Sequence, residues 1–156
     1  MLVSLHNYYL RFRRRFYIKL YNLKYKGKVI LPNDMLIGAG FKIYSDNSLT
    51  KLTIGKGAYL RDYITFNLFE SGKITLGQNV FMNSFCSFTS KYEILIGNNI
   101  SIGEGVKIYD HNHNFTNCTL NINEQGYSGK PVMIGDNVWI GSNVTILQVL
   151  KLVRML

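Results

Sequence analysis

Ile134-Gly135-Asp136-Asn137-Val138-Trp139-Ile140-Gly141-Ser142-Asn143-Val144-Thr145-Ile146 carries an isoleucine at every sixth position, and glycine directly follows the first two, with valine four places on. Working backwards, the same spacing joins Ile96, Ile102 and Ile108, then Leu76, Met82 and Phe88, then Ile54, Leu60 and Phe66. Glycine follows the aliphatic at Gly55, Gly77, Gly97, Gly103, Gly135 and Gly141, while Arg61 and Asn83 take that slot elsewhere. A period of six matches neither the alternation of a long strand nor the turn of a helix. It marks coils in which three short strands close one triangular rung, so the chain reads as an all-β solenoid.

In such a rung the aliphatic points inward and stacks on its counterparts. The residue four places on (Ala58, Val80, Cys86, Ile100, Val106, Val138, Val144) fills the remaining interior. Each large buried side chain contributes ~1.5–3 kcal/mol, but only where a neighbouring rung covers it. The glycine is read as a corner residue that needs either a positive φ or close approach to the next rung. Asn83 in that slot has a structural reading as a corner residue and a functional one as a group that orients a hydroxyl.

Length and composition fit one domain with a core, since 156 residues are 47% hydrophobic. Net charge is +9, and Arg11, Arg13, Arg14, Arg15, Lys19, Lys24, Lys26 and Lys28 all precede the first acid, Asp34. A basic arm on a sheet-like body points to an anionic surface as partner. Two widely separated cysteines, Cys86 and Cys118, indicate neither a disulfide framework nor a zinc knuckle, and Cys86 falls at a small inward position. No secretory signal and no membrane-spanning run is apparent, so a cytoplasmic location is expected, with peripheral contact at the inner face of the membrane through the arm.

Residues 1–28 form that arm. Leu5, Tyr9, Phe12, Phe16, Leu20 and Leu23 recur at spacings of three and four, which predicts an amphipathic helix with the basic residues on other faces. Two readings stand side by side: a cap that covers the open first rung, and a helix lying on an anionic membrane. Nucleic-acid binding is disfavoured because the aromatics follow helical spacing rather than forming a stacking platform. Residues 29–147 hold the repeat, with Ile37-Gly38 and Ile43 as a degenerate first rung, and residues 109–131 are an extruded loop where chemistry is expected.

The hexads, the loop opening Tyr109-Asp110-His111-Asn112-His113 and the Val138-Trp139-Ile140-Gly141-Ser142 run together resemble the hexapeptide-repeat acetyltransferases. The nearest look is to the galactoside/maltose acetyltransferases and to the O-acetyltransferases of lipopolysaccharide and capsule synthesis. The resemblance implies a left-handed parallel β-helix, a homotrimer with active sites in the clefts between subunits, and acetyl-coenzyme A as donor. It implies His111 as general base, Asn83 as the residue that orients the acceptor sugar, and Ser142 as the contact to the acetyl thioester. Trp139 lies near that cleft, and His113 is grouped with Asn83 and Trp139 as acceptor-binding.

An imidazole, ordinarily with a pKa of ~6.5, suits removal of a proton from a sugar hydroxyl as the oxygen attacks a thioester. Asp110 or a backbone carbonyl could fix its tautomer, although strand alternation turns neighbours to opposite faces and weighs against Asp110. The His-x-His pair also admits two other readings, a zinc site and solvated loop histidines without a task. No metal is expected, because no carboxylate or thiol cluster accompanies the pair.

The pattern breaks after Ile146-Leu147: residues 148–156 show no hexad. One added G after a CAA codon for Gln148 would convert the tail to Gln-Gly-Val-Lys-Ile-Gly-Glu-Asn, back in phase. On that reading the chain is truncated and holds acetyl-coenzyme A weakly, and the alternative function is a noncatalytic remnant that binds membranes or other subunits.

Overall fold

The computed structural model describes residues 15–148 and 151–152. Leu5, Tyr9, Phe12, Arg11, Arg13 and Arg14 of the expected helix lie outside the described residues. Helix α1 spans 15–24 and leads into the first rung, β1 (Val29–Ile30), β2 (Leu36–Ile37) and β3 (Lys42–Ser45). The second rung holds β4 (Lys51–Ile54), β5 (Tyr59–Leu60) and β6 (Thr65–Leu68), and the third β7 (Lys73–Leu76), β8 (Phe81–Met82) and β9 (Ser87–Ser90). The fourth comprises β10 (Glu93–Ile96), β11 (Ser101–Ile102) and β12 (Lys107–Tyr109), after which β13 (His111–His113) and β14 (Tyr127–Gly129) leave the stack as a hairpin. β15 (Val132–Ile134), β16 (Trp139–Ile140) and β17 (Thr145–Ile146) complete the fifth rung, and β18 (Lys151–Leu152) follows.

These strands stack into three parallel sheets, one per side of the triangle: β1-β4-β7-β10-β15-β18, β2-β5-β8-β11-β16 and β3-β6-β9-β12-β17. The protein is a parallel β-solenoid. Register follows the hexads, with Ile54 beside Leu76, Leu76 beside Ile96 and Ile96 beside Ile134. All twelve hexad residues are buried, and Cys86 is buried among them. The first rung is more regular than expected, because Val29, Leu31, Met35, Ile37, Phe41 and Ile43 all point inward. Val138 is only partly buried and Val144 is exposed, since both sit on the fifth rung, where little of the described chain covers them. The tail, expected to leave the repeat, supplies β18, whose backbone pairs in parallel with β15.

The corner glycines Gly38, Gly55, Gly77, Gly97 and Gly103 act by close approach rather than by positive φ. A Cβ on Gly77 would come within 2.6 Å of the Gly97 backbone, and one on Gly97 within 2.7 Å of Gly135. The left-handed residues stand two places later, at Gly57, Asn79, Asn99 and Asn137 on one corner and at Gly40, Tyr63, Phe85, Gly105 and Asn143 on the next. Asparagine and glycine suit that conformation; Tyr63 and Phe85 adopt it while stacking on each other, ring centroids 5.1 Å apart.

Helix α1 covers the open face of the first rung, but not with the face the sequence predicts. Phe16, Leu20 and Leu23 are exposed, whereas Ile18 is fully buried and Tyr21 and Tyr25 pack on the core. The reason lies in the unpaired edge. In a parallel ladder alternate residues bond to opposite neighbours, and because Lys42 N–H donates to Ile64, the carbonyls of Phe41 and Ile43 face the other way. The Tyr21 and Tyr25 hydroxyls donate to those two carbonyls at 3.0 and 2.9 Å. Asn22 pairs with both the N–H and the carbonyl of Leu31, each at 2.9 Å. Capping an edge is polar work, so the buried face carries tyrosines and an asparagine.

Candidate active site

The extruded hairpin starts where β12 ends. There Asp110 is fully buried and takes four hydrogen bonds: the Ser90 hydroxyl at 2.6 Å, the N–H groups of Lys91 at 3.0 Å and Tyr92 at 2.9 Å, and His111 Nδ1 at 2.9 Å. Burial alone would push the Asp110 carboxyl up; the bonds from His111, Ser90, Lys91 and Tyr92 outweigh it and hold the group below its ordinary value of 3.8. An ionised carboxylate only accepts, so Nδ1 of His111 donates in this bond, and in the neutral imidazole Nε2 is the nitrogen that keeps its lone pair. The expectation that Asp110 faces away is corrected here. The chain bends at Asp110, between β12 and β13, and the bend breaks the alternation that holds within a straight strand.

The hairpin itself is pinned on several sides. His111 pairs with Gly129, Asn112 with Ser128 and His113 with Tyr127. Gly129 is required by space, because a Cβ there would strike the Tyr92 ring and the Asp110 carbonyl. The Tyr127 ring stands edge-on to His111 at 5.6 Å and 4.4 Å from the ring of exposed His113. Lys91 lies over the Tyr127 ring, its Nζ 3.8 Å from the centroid and 2.5 Å from Glu70 Oε1. Lys91, Glu70 and Tyr127 were not singled out from the sequence. The loop between β13 and β14 is otherwise open, with Phe115, Leu120 and Ile122 exposed.

The remaining candidates stand on a different corner. Asn83 Oδ1 accepts from Ser84 N–H at 2.8 Å and from Arg61 Nη1 at 3.2 Å, which leaves its amide N–H groups for other work. Ser142 Oγ accepts from Glu104 N–H at 3.3 Å, the same corner role that Asp62 and Asp136 play toward Ala39 and Asn98. Trp139 projects from β16 and is 79% exposed. Within one protomer, the structure brings together His111 and His113 at one end of the β3-β6-β9-β12-β17 sheet and Asn83 and Ser142 at the other. Extended-strand geometry makes that separation of the order of 15–20 Å. Among the described residues no group of three or more His, Cys, Asp or Glu side chains could hold a metal ion.

A solenoid of hexapeptide rungs with a carboxylate-bonded imidazole on an extruded hairpin is the class of structure this sequence makes. The chain resembles the hexapeptide-repeat acetyltransferases in both sequence and fold. It is 29% identical over 133 residues to a probable acetyltransferase of Mycobacterium tuberculosis, covering 85% of this chain and 44% of that protein. It is 32% identical over 94 residues to galactoside O-acetyltransferase of Escherichia coli, covering 60% of this chain and 44% of that protein. An Escherichia coli protein named for O-acetyl transfer in lipopolysaccharide biosynthesis is 29% identical over 130 residues, 77% of this chain and 63% of its own length. The chain thus spans about half the length of the first two of these relatives. No protein-family profile and no solved structure matches it.

Proposed function

We propose that the protein is an O-acetyltransferase that moves an acetyl group from acetyl-coenzyme A to a sugar hydroxyl in the assembly of cell-surface polysaccharide or lipopolysaccharide. The observation that carries this reading is the Asp110–His111 pair at 2.9 Å, which directs the lone pair of a neutral His111 to Nε2. Nε2 takes the proton of the acceptor hydroxyl while the oxygen attacks the thioester carbonyl. The carbon–sulfur bond then breaks, and the imidazolium returns the proton to the departing thiolate. Asp110 stays ionised throughout and stabilises the imidazolium. Names of the relatives support acetyl transfer, and two of them support a sugar or lipopolysaccharide acceptor.

Asn83, Trp139 and Ser142 stand too far from His111 to share one pocket in a single chain, so the working site takes them from a neighbouring copy in a homotrimer. Leu36, Tyr59, Phe81 and Trp139 make a mainly apolar outward row on one sheet, with Tyr59 and Phe81 edge to face at 5.5 Å, which supports such an assembly. In that arrangement Ser142 contacts the thioester, while Asn83, Trp139 and His113 contact the acceptor.

The test is release of free thiol from acetyl-coenzyme A in the presence of galactosides or lipopolysaccharide fragments, with mass spectrometry of the product. Acceptor-dependent release that vanishes in His111→Ala is expected. Equal rates from both proteins would sink the proposal.

A further inference from the structure

Helix α1 has two apolar faces, and the solenoid uses only one. At about 100° per residue, Ile18, Tyr21 and Tyr25 cluster on one side, and Phe16, Leu20 and Leu23 fall on an arc of about 60° directly opposite. The second set is exposed at 57%, 46% and 72%. Exposed Lys19 and Lys24 border it on either side, and Arg15 and Lys26 lie close by. In the sequence the same stripe continues upstream at Leu5, Tyr9 and Phe12, within the stretch that holds eight basic residues and no acid before Asp34.

We propose that this outward face of α1 is a docking surface for an anionic lipid bilayer. Phe16, Leu20 and Leu23 enter the boundary between headgroups and acyl chains, and the flanking lysines and arginines meet the headgroup charge. Charge complementarity selects that occupant. A second copy of the same face would bring two unneutralised basic margins together, and a nucleic acid would leave the apolar stripe unburied. Because the opposite face already holds the edge carbonyls of β3, docking needs no rearrangement of the solenoid. The inference does not depend on the proposed chemistry.

Flotation of the full chain with phosphatidylcholine vesicles, with and without phosphatidylglycerol, tests it. Binding is expected only to the anionic vesicles and to weaken with salt. Phe16→Ser/Leu20→Ser/Leu23→Ser, an exposed set checked for an unchanged fold by circular dichroism, should lower partitioning at least roughly tenfold, and Lys19→Glu/Lys24→Glu should do the same. Unchanged flotation of the stripe variant, or equal binding to neutral vesicles, would overturn the proposal. So would a stripe variant that only converts an oligomer to a smaller species, which would assign the face to a second copy, or binding to RNA in place of vesicles.

Discussion

Asp110 holds His111 by its Nδ1 at 2.9 Å while it is itself tied to the rung below through Ser90 at 2.6 Å. The solenoid wall thereby sets the orientation of a side chain that projects outside it. Asp110→Asn keeps the shape but turns an N–H toward Nδ1, which favours the other tautomer and protonates Nε2. Turnover should fall by about 10²–10⁴-fold with little change in KM, and nitrogen NMR of the imidazole should report the changed tautomer.

The same carboxylate makes stability depend on pH in the acid range. Its folded pKa lies below the ordinary 3.8, so its contribution is complete above that value and is lost as pH falls through the folded one. Urea unfolding should therefore show the wild type losing more stability than Asp110→Asn between pH ~5 and the lowest pH at which it stays folded. Parallel curves for the two proteins would contradict the assignment.

Lys91 and Tyr127 fix the hairpin. Lys91→Met removes both the cation over the ring and the bond to Glu70. Amide exchange at Asn112, His113 and Ser128 should quicken severalfold, and kcat should drop more than KM rises. Lys91→Arg, which keeps the charge, should restore part of both.

Glycines in the hexads divide by what stands above them. Gly77→Ala forces a Cβ to within 2.6 Å of the Gly97 backbone, whereas among the described residues nothing lies within 4 Å of a Cβ added to Gly141. Denaturant titration should show Gly77→Ala destabilised by ~2 kcal/mol or more, and Gly141→Ala within about 0.5 kcal/mol of wild type.

The two faces of α1 should respond unequally to mutation. Tyr21→Phe leaves the Phe41 carbonyl without its 3.0 Å donor and should cost ~1 kcal/mol. Phe16→Ser, on the exposed face, should cost about 0.5 kcal/mol or less.

The rungs were legible in the sequence because their cause is periodic: a buried aliphatic at every sixth position leaves the same mark from Ile54 to Ile146. The helix was legible but its buried side was not. Hydrophobic spacing favours Phe16, Leu20 and Leu23, while the covering of a sheet edge needs hydroxyl and amide donors that a hydropathy pattern counts as surface. His111 was proposed as the base from its motif, and Asp110 was discounted as its partner by a rule that holds for straight strands and fails at a bend. Lys91, Glu70 and Tyr127 left no signal, since their meeting depends on three separate turns of the chain and on how far a loop swings back.

Parallel rungs rise by ~4.8 Å each, and three such steps separate the strand beside α1 from the one that launches His111. With a helix diameter of ~10 Å beneath, the imidazole stands about 25 Å above whatever plane the underside of α1 rests on. Altitude in this architecture is quantised: the insertion or deletion of one coil would raise or lower the imidazole by a single storey. On the proposed function and docking, a rigid column of this kind would select acceptors by how far they reach from the surface on which they are built.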